Sequence, residues 1–509
     1  MTVVLGETPL TEAELVAVAR DLAPVALSPS AEERLRQGRE HVDRLADGDI
    51  PSYGISTGFG ALATKHIPRE QRAQLQRSLV RSHAASSGAE VETEVIRGMA
   101  LLRLQTLATG HTGVRHATAQ AYAELLNAGI TPVVGEYGSL GCSGDLAPLA
   151  HVALALMGEG QVRYGGELLP ADQALARAGL TAVELAEKEG LALINGTDGM
   201  LAMLMLASFD VAQLLKVADI AAAMSLEALL GTDRTLAADL IALRPHPGQA
   251  LSAANMRRLL EGSPIVASHR GPEDTRVQDA YSIRCAPQVA GGCRDTLAHV
   301  RLVAEGEAAA AIDNPVLLPD GRIESNGNFH GAPIGYALDF LAIPVADLAS
   351  ISERRTDRML DKNRSGLPAF LADNPGVDSG LMIAQYTQAG IVSELKRIAA
   401  PASADSIPSS AMQEDHVSMG WAAGRKLRRA VDGLTRVLAI EVMAAARALD
   451  LRAPLQPAAG TAAAVAAVRQ VCEGPGPDRY LSPEIEAVVG LVTGGALVDA
   501  VQKVTGELS

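Results

Sequence analysis

The sequence predicts a mainly α protein: a long antiparallel helix bundle with a mixed N-terminal part and a few short hairpins. Three observations carry this. Aromatic residues make up only 3% of the 509 residues (Phe 5, Tyr 8, Trp 1), while alanine and leucine abound. That mix favours helices packed through small side chains over β-sandwiches. Proline, which breaks helices, is absent from 171 to 244 and again from 409 to 453. Strand-like runs are few and short.

Taken in chain order, Thr11 with Glu14, Ser30 with Glu33 and Thr181 with Glu184 fit the capping-box pattern and predict helix starts. Val162 to Leu169 reads as a hairpin turning at Gly165-Gly166, and Val316 to Glu324 as a second one turning at Pro319-Asp320-Gly321. Asp415 to Leu451 is an apolar-periodic run with Arg and Lys on its other face, enough for about ten helical turns. Gly474-Pro475-Gly476-Pro477 predicts a surface loop, and Ser482 before Pro483 a further cap. Residues 1–110 are expected to form the mixed N-terminal part and 111–509 the elongated bundle.

Composition excludes several functions. A formal charge of −15 argues against nucleic-acid binding, which needs clustered Lys and Arg, and fits a protein handling small molecules. Met1 to Pro9 lacks a basic region followed by an apolar run. The best apolar run, Gly199 to Phe209, is too short to span a bilayer. Cys142, Cys285, Cys293 and Cys472 lack zinc-type spacing, and a chain of this size needs no disulfide framework. His111 and His116 stand five apart, outside any His-Glu-x-x-His pattern, and no Walker loop is present. A reduced cytoplasmic protein without metal, membrane or nucleic-acid partner is expected.

Gly138-Ser139-Leu140-Gly141-Cys142-Ser143-Gly144-Asp145 is the segment with the most chemistry in it. No standard side chain is a good electrophile, but this stretch has the parts for one. In a tight bend the Gly144 nitrogen, unobstructed by a Cβ, can attack the Cys142 carbonyl. Loss of that oxygen as water closes a five-membered ring. Loss of the Ser143 hydroxyl as a second water leaves an exocyclic methylidene, an electron-poor alkene. The segment is not a nucleophile elbow, because Asp145 stands where that motif needs glycine.

With this segment, the chain from about residue 8 to its C-terminus resembles the aromatic amino-acid ammonia-lyases. That family carries the same ring, methylidene-imidazolone, usually built from Ala-Ser-Gly. Cys142 in the first position is a departure, tolerable because the ring uses only that residue's backbone carbonyl.

The resemblance assigns roles to motifs that otherwise have ordinary readings. Tyr53-Gly54-Ile55-Ser56-Thr57-Gly58-Phe59-Gly60 could be a surface loop, and Gly58-Phe59-Gly60 with Ala63 is a loose dinucleotide fingerprint that no apolar strand precedes. The family pattern makes Tyr53 the base for the β-proton, its phenol depressed by an electropositive site. His83, next to Ser82, would ordinarily be structural; the resemblance places it in the substrate-ring pocket, where histidine is typical of histidine-selective members. Asn195-Gly196-Thr197-Asp198-Gly199 is a turn with a cap by composition, while the family pattern sets Asn195 beside the ring and the substrate carboxylate.

Gln278, Tyr281 and Arg284 stand at helix-like spacing. A solvated face is the plain reading, yet Arg284 offers a fork for a carboxylate. The resemblance gives Tyr281 and Gln278 supporting roles, and Phe329, in Asn326-Gly327-Asn328-Phe329-His330-Gly331, a place near the electrophile. Glu414, in Met412-Gln413-Glu414-Asp415-His416, reads first as a helix-dipole residue. In histidine-selective relatives the matching residue lies near the imidazole, and a carboxylate suits an N–H-bearing ring better than bare phenyl.

The expectation is therefore non-oxidative elimination of ammonia from L-histidine to trans-urocanate, as in histidine degradation, with no external cofactor. A tyrosine or phenylalanine lyase, or an aminomutase on the same ring, is the alternative. Family precedent implies a homotetramer whose active sites combine residues from several chains. A catalytically silent helical protein would instead keep Ser143 unmodified.

Overall fold

A computed structural model describes residues 2–48, 54–57, 65–271, 274 and 277–509. Helices dominate, and the strands pair only in two- and three-stranded sheets. This is the mainly α class that the scarce aromatics and the proline-free stretches imply.

Local chemistry sets the helix ends. Thr11 caps Glu12–Arg20: its hydroxyl accepts from the Glu14 N–H while the Glu14 carboxylate takes the Thr11 N–H. The next helix, Pro29–Asp47, is capped by Ser28 instead of Ser30. Pro29 has a preset φ and no N–H to satisfy, which makes it the better first residue, and the Ser30 hydroxyl turns to Glu7 at 2.7 Å. Thr181 starts no helix. Its segment is pinned by tertiary bonds, with the Val183 N–H on the Leu156 carbonyl at 2.8 Å and the Glu184 carbonyl accepting from Arg115. At Ser482–Thr493 the cap is Leu481, with Pro483 inside the first turn.

Gln161–Tyr164 and Glu167–Pro170 pair antiparallel through Gly165 (φ +58°) and Gly166 (φ +84°), the left-handed pair a tight two-residue turn demands. Val316–Leu317 and Ile323–Glu324 form the second hairpin. A parallel pair, Val3–Leu5 with Val25–Leu27, and an antiparallel pair, Ser87–Glu90 with Gly135–Tyr137, had no clear pattern in sequence.

Gly199 to Phe209 proves to be only the start of Asp198–Ala228, a helix of 31 residues. It and Ala332–Leu360 are long and apolar enough to cross a membrane, with mean hydropathy 1.6, which corrects the reading by run length. In their most apolar stretches 72% and 61% of residues are buried, the pattern of core helices. The last long helix is Gly420–Asp450 and does not begin at Asp415. Ser410, Ala411, Met412 and Met419 all have positive φ, which a right-handed helix cannot contain. Glu414 instead bridges back to Ser409.

The chain forms two compact units: residues 2–209, 300–339 and 401–427, and residues 210–299, 340–400 and 428–509. Residue 110 lies inside the first. Every residue from Val95 to Ala108 on the helix Thr93–Ala108 is buried, including Arg97 and Arg103, whose guanidiniums donate to main-chain carbonyls. In the second unit Glu441 is wholly buried and accepts from Arg355, Ser225 and Ser352.

Candidate active site

Residues 138–145 form an irregular loop with three left-handed glycines: Gly138, Gly141 and Gly144. It is clamped at both ends. The Leu140 carbonyl accepts from the Met419 N–H at 2.9 Å, and the Gly141 carbonyl from the Gly331 N–H at 3.0 Å and the Ser418 hydroxyl at 2.7 Å. Asp145 is fully buried. It accepts the Ser139 hydroxyl at 2.8 Å and the Met200 N–H at 2.9 Å, and its own N–H donates to Gly196 O at 2.7 Å. Burial pushes its carboxyl up to about 7.

Gly144 has φ +69°, and a Cβ there would lie 2.1 Å from the Gly196 carbonyl oxygen, so no other residue fits. The approach is close enough to fix the Cys142–Gly144 bend against the segment that carries Asn195. The Asn195 amide donates to the Ser143 hydroxyl at 3.4 Å. Its other end, Oδ1, is buried with no partner among the described residues, the condition of an atom kept for a ligand. Arg103 fixes this turn by donating to the Asn195 carbonyl at 2.6 Å, and it lies 3.5 Å from the buried Asp198. These residues fit a tight bend at Cys142–Gly144, held against the Asn195 turn.

Glu414 reaches the same loop. Its Oε2 accepts the Cys142 thiol at 3.2 Å and the Ser409 hydroxyl at 2.8 Å. Burial and the nearby Glu414 charge push the thiol up to about 12, so it remains a donor at neutral pH. His83 ends the helix Arg72–His83, with Nδ1 donating to the Leu79 carbonyl at 2.9 Å. Burial holds the imidazole below its ordinary value, against opposing pulls from that carbonyl and from Glu414. Phe329 sits half-buried in the turn before Gly331, whose N–H holds the loop. His330 and His416 stack nearby with ring centroids 5.4 Å apart.

The chain thus gathers Cys142, Ser143, Gly144, Asn195, His83 and Glu414 in the first unit, with Phe329 on the adjoining turn. Tyr281, Arg284 and Gln278 belong to the second. Tyr281–Arg284 is one helical turn, and Gln278 lies ahead of it, so the helix-like spacing holds only for the last two. The Arg284 guanidinium stands 4.7 Å over the Tyr281 ring, with Nε buried and without a partner among the described residues. Tyr53, the Gly58-Phe59-Gly60 stretch and Ala63 lie outside the described residues.

Sequence reasoning passed over Asp145, Ser139, Arg103, Ser409 and Ser418, the residues that hold the others. The partners named above are 5 to 277 positions away, so no local pattern marks them. Asp145 beside the glycines was the one visible signal. Among the described residues no group of three or more His, Cys, Asp or Glu could hold a metal ion. The four cysteines are free.

A self-clamped Ser-Gly loop facing a buried asparagine on a mainly helical scaffold defines a class, and comparison agrees. Residues 10–470 match the aromatic amino acid lyase model, and the chain belongs to that family. It is 63% identical to the histidine ammonia-lyase of Streptomyces avermitilis, covering 100% of both chains. The histidine ammonia-lyase of Trypanosoma cruzi has a similar structure, with TM-score 0.92 and 39% identity over 100% of this chain and 96% of the other. The tyrosine aminomutase of Streptomyces globisporus is likewise similar, with TM-score 0.95 and 36% identity over 100% of both.

Proposed function

We propose that this chain eliminates ammonia from L-histidine to give trans-urocanate. The observation that carries the reading is the place of Glu414, which meets Cys142 of the candidate electrophile and acts electrostatically on His83, so that a carboxylate and an imidazole suited to a ring stand by that loop. The full-length identity to proteins named histidine ammonia-lyase supports it.

A methylidene-imidazolone closed by the chain itself from Cys142, Ser143 and Gly144 would supply the electron-poor alkene that activates the substrate amine, with no external cofactor. The remaining work falls to side chains. Glu414 accepts an imidazole N–H, and His83, whose proton affinity burial lowers, lines the same pocket. Asn195 and Arg284 hold the carboxylate, whose negative charge suits the Arg284 guanidinium. Tyr53 takes the β-proton, with Tyr281, Gln278 and Phe329 supporting. The proposed working form is a cytoplasmic homotetramer.

A tyrosine or phenylalanine lyase, or an aminomutase, is the second reading, favoured by the likeness to a tyrosine aminomutase. Incubation with histidine, tyrosine and phenylalanine separately, followed by ultraviolet absorbance of the conjugated product, decides between them. Histidine is expected to be turned over preferentially; preference for tyrosine would overturn the substrate assignment. A β-amino acid formed without stoichiometric ammonia would identify an aminomutase.

A further inference from the structure

Cys142 contributes its carbonyl to the proposed ring, which leaves its side chain with no part in that chemistry. The side chain nonetheless has a specific partner. Its thiol lies 3.2 Å from Glu414 Oε2, an oxygen that also accepts Ser409 Oγ at 2.8 Å. The Ser409 N–H donates to the Glu414 carbonyl at 2.8 Å, so the main chain is fixed as well. Two donors occupy Oε2, and among the described residues none reaches Oε1. The arrangement leaves one carboxylate oxygen restrained and the other available.

We infer that Cys142 is a positioning residue for ring recognition: its thiol holds the Glu414 carboxylate with Oε1 free to accept a substrate N–H. The inference rests on the histidine reading above. It explains why a non-alanine side chain is useful here. Alanine has no donor to offer, and Ser409 alone would leave the carboxylate free to rotate about its last bond. A thiol is a weak donor, so its effect on affinity should be modest.

The test is the kinetics of the assembled enzyme in Cys142→Ala and Cys142→Ser, alone and combined with Glu414→Gln. Mass of the peptide spanning 142–144 is measured in each to confirm that the ring has formed. Cys142→Ala should raise KM for histidine about fivefold, with a smaller change in kcat, because only orientation of the ring acceptor is lost. Cys142→Ser should restore most of the loss, since a hydroxyl can donate in the same place. On the Glu414→Gln background, Cys142→Ala should add almost nothing, as expected for two residues acting in series. Equal behaviour of the Ala and Ser variants, or additive effects in the double variant, would overturn the role. Wild-type enzyme that ignored histidine would instead defeat the substrate reading. The double-variant comparison, read on whichever substrate is turned over, would still decide whether the two residues are coupled.

Discussion

Ser143 is surrounded by residues that serve the loop: Asn195 at 3.4 Å, Gly144 against Gly196, and Asp145 bonded to Ser139. Ser143→Ala removes only a hydroxyl. The fold should survive, by circular dichroism, while turnover falls on the order of 10³-fold or more, as when a sole electrophile or nucleophile is lost. Substantial remaining turnover would exclude Ser143 as the source of the electrophile. Asp145 makes a separate prediction. Its folded value of about 7 stands above the ordinary 3.8, so the stability it contributes is full below about pH 4 and is lost as pH rises through 7. Asp145→Asn mimics the protonated form, keeping an acceptor for Met200 and offering a donor to Ser139. The wild type should therefore lose up to about 1.4 kcal/mol per pH unit relative to the variant between pH 4 and 7. Melting curves across that range measure the difference, and parallel curves would contradict it. His83, held low by burial, runs the other way: its contribution is present above about 6.5 and is lost on acidification. Ser143, His83, Asn195 and Glu414 were legible because motif and family pattern single them out. The Asp145 and Arg103 anchors were not, because their partners come together only on folding.

At the scale of elements, the sequence was most readable where a local rule acts alone. The Thr11–Glu14 box and the Gly165-Gly166 turn formed as composition dictates. It was least readable where tertiary bonds or backbone strain compete. Pro29 moved one helix start to Ser28, carbonyl pairing kept 181–184 irregular, and left-handed residues at 410–412 and 419 held Glu414 off the last long helix. That displacement matters for function, since it brings Glu414 back to Ser409 and within reach of Cys142. The helix that follows is seated by Trp421, the chain's one tryptophan, 2% exposed, with Nε1 donating to the Glu136 carbonyl at 2.8 Å. Its ring lies against Gly199, where a Cβ would come within 2.6 Å of Cζ3. Trp421→Phe keeps most apolar volume but deletes this part-buried hydrogen bond, which should cost about 0.5–1.5 kcal/mol. A melting temperature that does not move would show that this bond does not seat the helix.

For the whole molecule, the division of the proposed residues between two compact units has a testable consequence. Ser143 and Glu414 lie in one unit, Tyr281 and Arg284 in the other. Tyr281 is 72% exposed, and the Arg284 guanidinium stands over its ring. If the working site combines Ser143 of one subunit with Arg284 of another, two inactive variants should complement. Ser143→Ala and Arg284→Ala, each inactive alone, would be co-expressed and the mixed oligomer purified through different tags. With random assortment, each site needs an intact Ser143 from one chain and an intact Arg284 from a different one, so about a quarter of sites are complete. A site built within one chain can never be complete in such a mixture, because every chain carries one lesion. Recovery of about a quarter of wild-type activity would therefore establish a shared site, and activity no greater than that of the separate variants would place all its residues in one chain.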